Sequence, residues 1–249
     1  MTRNLMLAAT AVLALSSGMA QAAPPKEVVA AVADAGRPEA DTKRDADRKP
    51  AEMLEFAGVK SGQTVADFLP GGGYFTRIFA KAVGPQGVVY AVINAPPPNP
   101  APDAKPNPIV AVVASYPNIK VVQASFQTLA LPTQADVIWT AQNYHDLHLA
   151  RFNLDVAAVN KAVYAALKPG GVYVVLDHAA LPGAPLDTAD KLHRIDPAIV
   201  KAELAAAGFT YEGESTLLRN TTDDHTKGVF DPTLRGHTDQ FIYKFRKPK

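Results

Sequence analysis

The sequence feature that most narrows the choice of fold is a strand–glycine turn–helix unit over residues 64–83. Thr64-Val65-Ala66-Asp67-Phe68 is rich in strand formers, Gly71-Gly72-Gly73 allows a tight reversal, and residues 74–83 carry a helical pattern that Gly84 ends. Related units follow. Runs at 87–93, 119–123, 136–140 and 172–176 read as buried strands, and 109–115 and 154–167 read as helices. A polar loop is predicted up to Asp196, which caps a helix that begins at Pro197 and ends at Gly208. Such alternation implies a parallel sheet covered on both faces, with right-handed crossovers. Residues 211–218 and 240–245 alternate apolar and polar side chains and predict an antiparallel pair. The expected fold class is therefore α/β: a mixed sheet, mostly parallel, with a C-terminal antiparallel hairpin and helices on both faces.

Ahead of this region, residues 23–57 read as an N-terminal helical extension, and 58–249 as the main domain. A short helix is predicted at 26–33, and Gly36-Arg37-Pro38 breaks it. Residues 41–48 mix both charge signs and read as a solvated helix face. After Pro50, Met53, Leu54, Phe56 and Val59 recur at helical spacing, which docks that helix on the core. Seven prolines between Pro96 and Pro108 exclude a helix there and predict an extended surface loop.

The first residues have the form of a cleaved secretory signal. Arg3 is followed by an apolar run over 5–15, and Ala20-Gln21-Ala22 fits a small-x-small cleavage site, so 1–22 is expected to be removed. The run is shorter than the roughly 20 residues that a span needs. The expected location is periplasmic or secreted, with no stable membrane insertion after cleavage. Removal of Arg3 leaves 24 basic residues (25 − 1) against 24 acidic ones. That balance argues against a nucleic-acid partner and a polybasic membrane anchor. An apolar content of 47% excludes a disordered chain. The absence of cysteine excludes disulfides, thiolate nucleophiles and iron–sulfur clusters.

Glycines in the turn after a first strand let a ligand lie against the backbone, and open α/β sheets bind ligands at the carboxyl ends of their strands. The chain has no GxxxxGK[ST], and Thr76 stands where GxGxxG needs its third glycine. A pyrophosphate cradle is thereby disfavoured, which leaves a nucleoside-like ligand. Val65-Ala66-Asp67…Gly71-Gly72-Gly73-Tyr74-Phe75-Thr76 resembles motif I of class I S-adenosylmethionine-dependent methyltransferases. Val89-Tyr90-Ala91-Val92, Ala135-Asp136-Val137-Ile138-Trp139 and Leu167-Lys168-Pro169-Gly170-Gly171 resemble the second strand, the fourth strand and the turn before the fifth. The resemblance covers roughly residues 50–247. It implies a Rossmann-like fold, S-adenosyl-L-methionine as cofactor, and Asp67, Gly71 and Gly73 as cofactor-binding residues.

Three places depart from the family pattern, one of them after the third strand, where Ala124, Ser125 and Phe126 stand in place of the acid that often lies near the adenine. Leu69 replaces a glycine, and Ile93 replaces the acid that meets the cofactor ribose, which leaves Asn94 as the hydroxyl partner. Together with the signal sequence, Asn143-Tyr144-His145-Asp146 and Leu192-His193-Arg194-Ile195-Asp196 are similar to a group of predicted exported bacterial methyltransferases.

All six histidines follow the fourth strand. His145 and His178 stand at the carboxyl ends of the fourth and fifth strands, where they face one crevice with Asp177, His193 and Arg194. Catalytic, metal-binding and purely structural readings compete for this block. Spacing supports no metal site, since His145 and His148 are only three apart and no HExxH occurs. The catalytic expectation is His145 as general base, with Asp146 orienting it and Tyr144 shaping the pocket. Arg48, His178 and His193 are the expected substrate contacts. The function expected is methyl transfer to a small molecule; the alternative is an exported binding protein that keeps the fold without the chemistry.

Overall fold

The computed structural model describes residues 23–96, 103 and 105–249. The predicted signal sequence and most of the proline tract lie outside the described residues. Four helices come first: α1 (Lys26–Val32), α2 (Glu39–Thr42), α3 (Asp45–Arg48) and α4 (Pro50–Ala57). Strands β1 (Thr64–Phe68), β2 (Val88–Asn94), β3 (Ile119–Ala124) and β4 (Ala135–Ala141) then alternate with helices α5 (Tyr74–Val83) and α6 (Ile109–Val113). Helix α7 (Val156–Ala166) leads into β5 (Leu167–His178), and α8 (Thr188–Leu192) and α9 (Pro197–Ala206) precede β6 (Thr210–Ser215) and β7 (Gln240–Arg246). The order across the sheet is β3-β2-β1-β4-β5-β7-β6. β1 to β5 run parallel, and β7 lies antiparallel to both β5 and β6.

Period-two alternation along the strands divides the core into two layers. Val65, Val89, Ala91, Trp139 and Leu176 pack with α1, α4, α5 and α6. Ala66, Phe68, Tyr90, Ile138 and Tyr173 pack with α7 and α9 on the other face. Asp67, between Ala66 and Phe68, must therefore point toward α5. The predicted turn at 168–171 is an irregularity inside β5: Leu167 pairs with Ala135, yet Val172 already pairs with Val137. Gly171 is required there, because a Cβ would sit 2.9 Å from the Lys168 carbonyl oxygen.

Two expectations are corrected. Residues 187–193 do not form a plain loop but include α8, a single turn too short and too polar to show periodicity. The charged run at 41–48 is a solvated face only in part: Lys43, Arg44 and Asp47 are exposed, but Asp41, Asp45 and Arg48 are drawn inward. Asp41 is buried and pairs with Arg77 at 2.7 Å, and Asp45 takes a two-pronged bond from the buried Arg37 at 2.8 and 2.7 Å and a third from the Tyr74 hydroxyl at 2.6 Å. These ion pairs fold α2 and α3 over the start of α5. Charge density in sequence does not distinguish a wet face from a paired one.

The C-terminal half has its own buried ion pair. Arg194 is wholly buried and donates to Asp223 at 2.9 and 3.1 Å and to the carbonyls of Ala179 and Lys227 at 2.9 Å. It ties the segment after α8 to the loop between β6 and β7. Removing one partner of such a pair leaves the other charge buried alone, which costs about 3–5 kcal/mol. Urea unfolding of Arg194→Ala is expected to show a loss of about that size, whereas Lys43→Ala, which breaks an exposed pair, is expected to change stability by under about 1 kcal/mol.

Candidate functional site

The turn after β1 is held in an unusual backbone shape. Leu69 has φ of 63°, in the left-handed region where a side chain costs roughly 1–2 kcal/mol. Its N–H donates to the Val92 carbonyl at 3.0 Å and its carbonyl accepts from the Asn143 side chain at 2.9 Å, so β2 and the end of β4 clamp it. Gly71 and Gly73 also have positive φ, but they serve different ends. A Cβ on Gly71 would meet nothing, so that position faces open space. A Cβ on Gly73 would lie 2.9 Å from Ile109, so Gly73 makes room for α6 rather than for a ligand.

A cavity of about 220 Å³ opens beside this turn, lined by Asp67, Leu69, Gly71, Arg48, Phe75 and Asn143 among others. Asp67 is buried and accepts the Thr76 hydroxyl at 2.5 Å. Burial pushes its carboxyl up to about 7, against the opposing effects of that bond and of the Arg48 charge. Arg48 lies over the rings of Tyr74 and Phe75, 4.5 and 5.0 Å from their centroids, and donates to Gln142 at 2.9 Å. Burial lowers its pKa to about 10, which leaves it charged at neutral pH. Acid and guanidinium thus border the same space.

Leu69 also lines a second, mostly apolar cavity of about 90 Å³, together with Asn94, Phe126, Asp146 and Leu147. Asn94 is exposed, while Ile93 is packed into the core below α5 and α6. A third space, of about 570 Å³, carries Arg48, His178, Phe230 and Arg235. Arg48 belongs to both the first and the third.

The histidine block is built around Asp177 at the end of β5. Its carboxylate is fully buried and accepts the His145 backbone N–H at 2.7 Å, the His145 ring at Nδ1 at 2.8 Å and the His178 N–H at 2.8 Å. The first of these caps the short helical turn His145–His148 that follows β4. His145 Nε2 lies 3.3 Å from His193 Nδ1 and 3.4 Å from Asp146 Oδ1. Burial pulls the His145 pKa down, but Asp177 and Asp146 outweigh it and the net shift is upward. Burial also keeps Asp177 from ionising freely, yet His145 holds it below the ordinary carboxylate range. His178 bonds Thr238 at 2.7 Å and is pushed down by burial to about 4, so it is neutral at pH 7.

Of the residues expected to converge, His145, Asp146, Asp177, His178 and His193 do so. Tyr144 does not shape the pocket: it is fully buried on the α7–α9 face, donating to Glu203 at 2.8 Å and accepting from Asn160 at 2.7 Å. Adjacent residues in a helical turn point to different sides, and Tyr144 is taken by the core. Orientation of His145 falls to Asp177 through Nδ1, while Asp146 approaches the other nitrogen. Sequence reasoning missed Gln142 and Thr238; nothing in their local pattern marks them, since their partners are distant in the chain.

No family model and no curated protein matches the chain. Solved structures do. A SAM-dependent methyltransferase from Aquifex aeolicus superposes with a TM-score of 0.58 at 18% identity, over 84% of this chain and 95% of that one. A putative sarcosine dimethylglycine methyltransferase from Galdieria sulphuraria gives 0.58 at 19%, over 84% and 88%. Fibrillarin from Aeropyrum pernix, in complex with natively bound S-adenosyl-L-methionine, gives 0.52 at 16%, over 81% and 76%. At these identities the likeness establishes the fold: this chain has the Rossmann-like fold of class I S-adenosylmethionine-dependent methyltransferases.

Asp67 makes stability depend on pH. Its folded pKa, about 7, exceeds the unfolded value, so between about pH 4 and 7 the unfolded chain releases a proton that the folded chain keeps. The group therefore destabilises the fold increasingly as pH rises through that window, and fully above it. At roughly 1.4 kcal/mol per pH unit, Asp67→Asn is expected to gain up to about 4 kcal/mol over the wild type at pH 8 and almost nothing at pH 4. Urea titrations at the two pH values measure the difference.

Proposed function

We propose that the chain is an exported methyltransferase that uses S-adenosyl-L-methionine to methylate a small molecule. The observation that carries this reading is the cavity at the turn after β1, where the Asp67 carboxyl and the Arg48 guanidinium border one space beside a glycine that leaves it open. Opposite charges in one cavity suit the ammonium and carboxylate of an amino-acid moiety, and such a moiety restores a cation beside Asp67. The mostly apolar cavity beyond Leu69 suits a nucleobase, with Asn94 as the neutral partner for ribose hydroxyls. The residues present thus fit the cofactor, with two differences from the family at these cavities: β2 ends in Ile93 and Asn94 rather than in an acid, and Leu69 stands between the two cavities.

Bound there, S-adenosyl-L-methionine supplies an electrophilic methyl group. The chain's own residues position and deprotonate the acceptor. Arg48 and His178 line the larger cleft, which is roomy enough for a small substrate and offers both charge and a neutral imidazole. His145, fixed through Nδ1 by Asp177, presents Nε2 for the proton of a hydroxyl or amine. A positioned base contributes about 10²–10⁴ in rate. Export by the N-terminal segment is part of this reading and rests on its sequence pattern alone.

Calorimetric titration with S-adenosyl-L-methionine and S-adenosylhomocysteine tests the cofactor; absence of binding to either would sink the reading. Asp67→Asn is expected to weaken binding roughly ten- to a hundredfold, because a bond to a charged group is lost. Asn94→Asp is expected to tighten it up to about tenfold. Ile93→Asp is unsuitable because it would bury a carboxylate in the core. His145→Ala is expected to lower turnover by about 10²–10⁴ with cofactor affinity retained. N-terminal sequencing of protein recovered from the periplasm is expected to begin at Ala23; a Met1 start on soluble protein would remove the export component.

A further inference from the structure

We propose that His145, Asp146 and His193 form a binding site for one divalent transition-metal ion, with zinc the best match. The donor atoms carry the proposal. His145 Nε2, His193 Nδ1 and Asp146 Oδ1 stand 3.3, 3.4 and 3.9 Å apart. A tetrahedral shell with bonds of about 2.0–2.1 Å requires ligand atoms about 3.3–3.4 Å from one another. Two of the three separations meet this as they stand, and the third closes by a small turn of a half-exposed carboxylate.

Three further features separate this cluster from an ordinary polar contact. First, Asp177, with no exposed surface, holds His145 Nδ1 at 2.8 Å. A carboxylate behind a ligating imidazole is the usual outer support of a metal-binding histidine, and it commits Nε2 to the ligand side. Second, His193 closes α8 in the left-handed region, with φ of 54° and its N–H on the Ala189 carbonyl at 3.1 Å, so the helix end fixes the backbone that delivers this ring. Third, His145 is buried while Asp146 and His193 are partly exposed, which leaves the open side a catalytic zinc needs for a fourth ligand. Two imidazoles and one carboxylate favour zinc, cobalt or iron over magnesium and calcium, which prefer all-oxygen shells.

The His145 ring lies 6.0 Å from that of His178 and the His193 ring 5.0 Å from that of Phe230, and both neighbours line the larger cleft, so the ion borders the space assigned above to the acceptor. Resting on that reading, the substrate class becomes narrower: of hydroxyl and amine acceptors, one with a hydroxyl that binds the open position and loses its proton to water on coordination. The metal then does by Lewis acidity what His145 Nε2 does in the free protein.

The site is tested without any methyl donor. Protein dialysed against a chelator is titrated with Zn²⁺ by calorimetry, and with Co²⁺ by visible absorption. The expected result is one ion per chain, an intense four-coordinate cobalt spectrum and a higher melting temperature with zinc. His193→Ala and Asp146→Ala are expected to weaken binding at least a hundredfold, and Asp177→Asn, a positioning residue, ten- to a hundredfold. Far-UV circular dichroism of His193→Ala, whose ring is partly exposed, checks that the fold survives. No saturable binding by the wild type, or binding that His193→Ala leaves unchanged, would overturn the proposal. Neither result bears on S-adenosyl-L-methionine affinity, so the two readings fail separately.

Discussion

The carboxylate of Asp177 is the interaction on which the working end of this molecule depends. A buried charge is tolerated only when its lone pairs are filled, and here two backbone amides and one imidazole fill them. Those same bonds fix the loop after β4 to the end of β5, choose the tautomer of His145 and aim Nε2 at His193 and Asp146. The turn after β1 is held in a parallel way, with Asn143 bonding both Leu69 and Ala141. The strand ends are therefore cross-linked to one another by side chains rather than left as independent loops. Burial at this end also explains why His178 is kept neutral beside a histidine whose pKa is raised.

The N-terminal helices matter for a different reason. They form the wall of the cavity opposite the glycine turn, and they are held by charge pairs that straddle α5. Arg37–Asp45–Tyr74 and Asp41–Arg77 are partly shielded from water, so they are worth more than surface pairs. Arg48, the last residue of α3, reaches into the cavity, stacked on Tyr74 and Phe75. Access to the space beside Asp67 is thus governed by a segment outside the sheet.

Much of the sheet was legible in the sequence because its strands are continuous apolar runs punctuated by glycine and proline. β1 and α5 were placed to the residue, and the antiparallel pair was seen from alternation. Helix α8, no shorter than α6, was not seen, since its Thr-Ala-Asp-Lys-Leu carries no apolar run like that of α6. The site was legible as a neighbourhood: strand ends bring His145, His178 and Asp177 together once the sheet is parallel. Which way each side chain turns was not. Tyr144 and His145 are adjacent yet lie in different layers, and the roles of Asp146 and Asp177 toward His145 depend on which ring nitrogen each one meets.

The strand order has a consequence for how the sheet is completed. β7 is last in sequence but lies between β5 and β6, and β6 pairs with nothing else in the sheet. Until β7 arrives, β5 presents an unpaired edge whose side chains are almost wholly apolar from Val172 to Leu176. Such an edge is a template for association with other chains. The same late strand and the residues before it supply Thr238 to His178 and Gln240 to Gln142. The crevice is therefore complete only once β7 has docked, and a chain in which it has not carries both an open edge and an unfinished site.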